Sequence, residues 1–233
     1  MIETKRKTPV YGLKILVVLT SLGGVILSLI TAKQDGYSHW GRRLLYFTAQ
    51  SNIWLGLTFL GILLLPLKRK NADVWESRLY LLKFIFTVSI TVTGVVFCAL
   101  LAPFSDDGYR PWAFPNVLTH VFSPAFAILD FFLDKTRLQV GKRQMLYCLL
   151  PPLLYCAFAS ILGAFEVDFG RGESYPYFFL NFRSPAGLFG FSDQRPFFMG
   201  EFYWLAIFCF FIITLALVYA LPLREKTGAK KGD

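Results

Sequence analysis

Apolar residues gather into six long stretches, at about 13–32, 44–67, 80–102, 117–133, 145–165 and 202–223, separated by polar connections. A bilayer's hydrocarbon core takes about 20 helical residues to cross, so each stretch is long enough, the fourth only just. One segment reads differently: Thr87 to Thr93, Thr-Val-Ser-Ile-Thr-Val-Thr, alternates like a strand. It lies inside a continuous apolar run, however, and an isolated strand cannot satisfy its backbone in lipid, so length decides for helix. The pattern predicts an all-α integral membrane bundle of six transmembrane helices forming a single domain over residues 1–233. Four connections are short, and one, 166–201, is long.

Composition agrees with this reading: 55% of residues are hydrophobic and only 17% are charged, too few to coat a soluble domain of this length. The net charge of +9 comes from short basic clusters beside the apolar runs, with no stripe that would track phosphates. The expected partners are therefore membrane lipids, as solvent and as substrate, with no nucleic acid, and the oligomeric state stays open. Counting Lys and Arg on the two sides gives 17 with the termini, second loop and fourth loop against seven on the other side. This bias places both the N and C termini in the cytoplasm of a cell membrane. Lys5 to Lys7 precede the first span as in a signal peptide, but its apolar core is longer than a signal core and no small-x-small site follows, so it reads as an anchor. Cys98, Cys148, Cys156 and Cys209 all fall in apolar runs without a Cys-x-x-Cys pair, and read as buried free thiols.

Polar groups inside spans are costly and mark the bundle interior. Thr48, Ser51 and Asn52 follow one another at i, i+3 and i+4 and so share one face of the second span, while the fourth carries His120, the single intramembrane histidine. Both spans run inward from the outer face. Thr48 and His120 each lie roughly 5 to 6 Å below it at 1.5 Å rise per residue, so they can meet in one layer. A hydroxyl beside a neutral imidazole, shielded from bulk water, is the minimum pair for nucleophilic catalysis. The plainer alternative is a Thr bonded to its own helix and a His satisfying a neighbouring one. Asp130 lies about 15 Å from His120 by helical rise, too far to orient it. Its expected role is structural, an ion pair with Lys135, Arg137 or a neighbouring basic residue, the alternative being a proton or ion relay. Thr87, Thr91 and Gly94 form a small face suited to close helix packing, and Pro124 and the Pro151-Pro152 pair should bend their helices.

The loop 166–201 carries ten Phe and Tyr residues, too aromatic for disorder. Its Tyr-Pro-Tyr-Phe-Phe-Leu-Asn stretch from Tyr175 to Asn181 is either a lid over an outer-leaflet cavity or an interfacial anchor.

Three of these features together, Tyr-Phe-Thr-Ala-Gln-Ser-Asn at 46–52, His120 followed by Pro124 and Asp130, and Tyr-Pro-Tyr-Phe-Phe-Leu at 175–180, resemble bacterial six-span relatives of the androgen-induced protein family. The resemblance implies multi-pass hydrolases of fatty acid esters of hydroxy fatty acids, with an intramembrane Thr nucleophile falling on Thr48 and a His falling on His120. The animal members continue mainly with apolar residues after the threonine, where Gln50, Ser51 and Asn52 stand here, which implies a more polar substrate end. The expectation is a lipid ester hydrolase with Thr48 and His120 catalytic, and with Ser51, Asn52, Tyr175 and Tyr177 binding substrate or donating to the oxyanion. No metal or organic cofactor is needed. The competing reading is a non-enzymatic membrane protein that binds or moves a small lipid, ion or proton through His120 and Asp130.

Overall fold

The computed structural model describes residues 8–64, 72–105, 109–134, 138, 140–170 and 172–228. Among them the chain is helical with no strand, apart from one isolated antiparallel bridge between Phe191 and Met199 in the long loop. Six helices are long and apolar enough to cross a membrane: Val10–Thr31, Phe47–Leu64, Val74–Leu101, Phe114–Leu133, Lys142–Ala164 and Glu201–Leu223. This is a multi-pass membrane protein.

The boundaries differ from expectation where polar residues intervene. The second span begins at Phe47, because Trp40–Leu45 winds into a separate 3-10 turn carrying Arg42 and Arg43, with His39 capping it through the Gly41 N–H. The third starts earlier, with Glu76 and Arg78 in its first turns, and residues 65–67 of the expected second span lie outside the described residues.

The third span is the axis of the bundle, with 61% of its most apolar window buried against 22% in the fifth span and 28% in the sixth. The first, second, third and fourth spans pack on one another, while the fifth and sixth sit at the periphery. In lipid the tails are as apolar as the helix faces, so packing of small residues has to hold helices together. Gly56 illustrates this: a Cβ there would stand 2.6 Å from Leu22 Cγ and Ser21 Oγ, so the glycine lets side chains of the first span seat against the backbone of the second. Gly94 does the same for the third and fourth, where a Cβ would come within 3.0 Å of the His120 carbonyl and 3.1 Å of Pro124. Of the expected small face on the third span, Thr91 also bonds the Tyr219 hydroxyl of the sixth (2.8 Å).

One end of the bundle, where the first span begins and the last ends, is closed by four charges, three of them buried and Asp134 half-buried. Lys14 donates to Asp130 and Asp134, both at 2.7 Å, and Lys83 pairs with Asp130 and, at 2.8 Å, with Asp134. Asp130 therefore pairs with lysines of the first and third spans, whereas partners in the fourth loop were expected; Lys135 and Arg137 lie outside the described residues. The reason is direction: Asp130 is fully buried, facing inward where the first and third spans begin. Two of the basic residues credited to the terminal side, Lys14 and Lys83, thus sit inside spans and neutralise aspartates. Burial raises the Asp134 carboxyl, but the Lys83 and Lys14 ammonium groups outweigh it and hold it well below its ordinary value near 3.8. A depressed carboxylate contributes stability above its unfolded value that is lost only as pH falls through the folded one, so this end should resist mild acid.

The other end is capped by the long loop, which docks onto the first loop. Asp168 accepts from the Gly170 and Gly172 N–H groups and from the Ser38 hydroxyl, and Ser38 N–H donates to the Gly170 carbonyl at 2.9 Å. Hydrogen bonds to its charged form outweigh desolvation and lower the Asp168 carboxyl. Gly170 has φ +119° and its missing Cβ would lie 2.4 Å from the Tyr37 ring, so only glycine fits the junction.

Candidate active site

At the loop end, Thr48 Oγ1 lies 3.0 Å from His120 Nε2. The two meet although Thr48 is the second residue of its helix and His120 the seventh of its span, because the fourth span stands higher than the second. They share one layer, but not because they stand equally far from the starts of their spans. The tie is Asn52, one turn below Thr48, whose amide nitrogen donates to the carbonyls of both Thr48 (2.8 Å) and Thr119 (3.1 Å), locking the two helices in register.

His120 sits in a π-helical turn, Leu118–Phe122, closed by the Ser123 N–H bonding to the Leu118 carbonyl. Pro124 accounts for it: the ring has no N–H to give the His120 carbonyl four residues back and would collide with it, and a widened turn relieves both. A second π turn, Phe97–Leu101, ends the third span, and the fully buried Phe97 stacks on the imidazole with centroids 4.0 Å apart. Imidazole Nδ1 faces the Asn116 carbonyl at 2.9 Å and the Thr119 hydroxyl at 3.2 Å. A carbonyl only accepts, so Nδ1 carries the proton and the neutral ring turns the Nε2 lone pair to Thr48. A backbone carbonyl thus fixes the tautomer where a carboxylate does so in a serine-hydrolase triad.

Of the other residues singled out in the sequence, Tyr177 reaches the pair. Its hydroxyl lies 3.5 Å from Thr48 Oγ1 and accepts from the Thr48 N–H at 3.4 Å. Burial pushes this phenol up to about 12, so it keeps its proton and can donate. Rings of Tyr46 and Tyr155 stand edge-on or tilted to it, and Phe179 stacks on it at 5.1 Å. Ser51 and Asn52 are buried beneath Thr48 with their donors spent: the Ser51 hydroxyl bonds the Thr48 carbonyl and Thr93 Oγ1, and the Asn52 amide makes the two bonds already described. They position the helix start and do not face an incoming oxyanion. Tyr175 packs edge-on against Phe197 at 6.5 Å in the outer part of the loop. Asp130 belongs to the opposite end of the bundle.

Asn116 and Phe97 were missed in the sequence. Asn116 stands four residues before His120 on the same helical face, a signal available in the spacing; Phe97 reaches the ring from another span, and nothing in its local sequence marks it.

Thr48 and Tyr177 open into an apolar cavity of about 620 Å³, its open mouth included, bounded by the second, third, fifth and sixth spans and the turn Phe178–Leu180. Among the described residues no three His, Cys, Asp or Glu side chains are placed to hold a metal. No protein-family model matches the chain, and no curated protein or solved structure is significantly similar to it.

Proposed function

We propose that the protein is an intramembrane hydrolase of lipid esters in which Thr48 is the nucleophile and His120 the general base and acid. The observation that carries this reading is the 3.0 Å contact between Thr48 Oγ1 and His120 Nε2 at the end of an apolar cavity. As Thr48 attacks the ester carbonyl its proton passes to Nε2, and the leaving alcohol takes that proton back. Water then gives a proton to Nε2, attacks the acyl-threonine, and the fatty acid leaves as Thr48 recovers its hydroxyl. The oxyanion forms beside the Tyr177 hydroxyl and the Thr48 N–H, which sits in the first helical turn and donates only to that hydroxyl through a long bond, so these take the role first expected of Ser51 and Asn52. The Tyr177 contacts are long, at 3.4 and 3.5 Å, so both donors can turn from each other to an entering oxygen. The three sequence motifs that resemble the androgen-induced protein family support the same pair, and on that reading the chain is a bacterial relative of it, in the cell membrane with both termini cytoplasmic. A relay through Asp130 has no support in the geometry, since its carboxylate pairs with Lys14 and Lys83.

Tyr177→Phe tests the oxyanion assignment. Removing one oxyanion donor costs about 10²- to 10³-fold in kcat in enzymes of this kind. We expect a loss of about 10²-fold in kcat with KM nearly unchanged, read by release of fatty acid from a long-chain ester in detergent micelles. An unchanged kcat would remove Tyr177 from the mechanism.

A further inference from the structure

The fifth and sixth spans are joined chiefly near their two ends, and between those ends both line the apolar cavity. At the terminal end the turn Tyr147–Leu149 rests on the sixth span. At the loop end the turn Phe178–Leu180 wedges between the two, with Phe179 against Trp204 and Phe208, and Ser160 Oγ donates to Glu201 Oε1 at 2.9 Å to tie the spans across the top. Between these two closures the walls are Pro152, Leu153 and Cys156 on one side and Leu205, Cys209 and Ile212 on the other, and both walls belong to the cavity that ends at Thr48. Leu153 is 36% exposed at the lip. These two spans are also the least buried of the six, so the gap faces lipid.

The route from water is covered. Above Thr48 the rings of Tyr37, Tyr46, Phe169 and Tyr177 pack edge to face, Phe169 has no exposure, and the Ser38 to Asp168 bond pins the loop over them. Inside the cavity the other hydroxyls are already engaged: Tyr155 donates to the Leu45 carbonyl, and Thr93 bonds Ser51 and the Ser89 carbonyl. No charged side chain lines it. Such a chamber accepts an apolar chain and offers polar chemistry only at its Thr48 end.

We propose that the gap between the fifth and sixth spans is a lateral doorway through which a bilayer-dissolved ester slides its acyl chain into the chamber, so that the substrate arrives from lipid and not from water. From Leu205 to Ile212 the chamber follows the sixth span for about 10 Å at 1.5 Å rise per residue, toward the middle of the membrane. The inference rests on the ester-hydrolase reading for the head of the substrate, while the doorway concerns its tail.

The test uses the full chain in phosphatidylcholine vesicles with an alkyne-tagged fatty acid ester carrying a diazirine midway along the acyl chain, in the Thr48→Ala background so that the ester survives. Irradiation should place adducts on Leu153, Cys156, Leu205 or Cys209, and Leu205→Trp and Cys209→Trp should each abolish them. Because a tryptophan can disturb folding, the Thr48→Ala chain without either tryptophan gives a second readout: the ester should slow alkylation of Cys156 and Cys209 by N-cyclohexylmaleimide and leave Cys98, which is exposed and outside the cavity lining, unaffected. Adducts confined to the outer faces of the first and fourth spans, or unslowed alkylation of both cysteines, would overturn the doorway. Doorway adducts on a protein that hydrolyses nothing would overturn the enzyme reading and keep the doorway; hydrolysis without such adducts would do the reverse.

Discussion

Thr48→Ala should reduce hydrolysis of a long-chain fatty acid ester by at least about 10³-fold, to the level of vesicles without protein. The general base alone contributes about 10²- to 10⁴-fold in such chemistry, and without the nucleophile the base has nothing to activate. The loss should be catalytic and not structural. Asn52 and Ser51 hold the Thr48 carbonyl, not its hydroxyl, so alanine keeps the bonds that seat the helix start. Leaving the buried His120 Nε2 without this partner should lower stability by about 1–3 kcal/mol. Thr48→Ser, which keeps the hydroxyl and loses a methyl, should retain measurable turnover. Release of fatty acid, with thermal unfolding in detergent measured on the same samples, checks each part, and full activity in Thr48→Ala would remove the nucleophile.

Asp130→Ala should have the opposite profile, with a large loss of stability and chemistry intact. It leaves Lys14 and Lys83 facing Asp134 alone at a buried site, and breaking one partner out of a buried ion pair costs about 3–5 kcal/mol. Replacing Lys83 by Met in the same chain should recover part of that loss, because one ammonium then faces one carboxylate. Thermal unfolding reads the stability. At a temperature where the variant is folded, kcat should match that of the unaltered chain, since the cluster lies at the end of the bundle opposite His120. A proteoliposome proton or ion flux that vanishes in Asp130→Ala and ignores Thr48→Ala would favour the relay instead.

Much of the fold was legible because hydrophobic length is a strong signal in a membrane: all six spans were marked to within a few residues except at the start of the third. The errors arose where polar residues continue a helix or interrupt it. Glu76 and Arg78 sit on a helix that extends beyond the apolar run, and Leu44 and Leu45 end a 3-10 turn, Trp40–Leu45, whose last residues the apolar pattern absorbed into the second span. The Lys14 and Lys83 partners of Asp130 were not legible because sequence proximity points to nearby loop residues, whereas inward direction decides partners inside a bundle, and direction depends on how helices rotate against one another.

The site was legible in part. Thr48, His120 and Tyr177 were named from residue type and span order, and the structure brings these three together. The depth argument that paired the first two assumed level helix ends, and the helices are staggered. The π turn around His120 follows from Pro124 only once the proline is known to lie within a continuing helix; from sequence it signals a bend of unknown form. Ser51 and Asn52 looked like oxyanion donors because they share a face with Thr48, but a residue one turn below a helix start reaches back to its carbonyl, and that is where both donors went.

The central claim is that His120 activates the Thr48 hydroxyl. The most direct measurement is peptide mass mapping of the detergent-solubilised protein after exposure to a lipophilic fluorophosphonate, in the unaltered chain and in His120→Ala. The account predicts one phosphonyl adduct, on Thr48, and its loss in His120→Ala with folding retained. An adduct elsewhere, or equal labelling of Thr48 without the histidine, would contradict it.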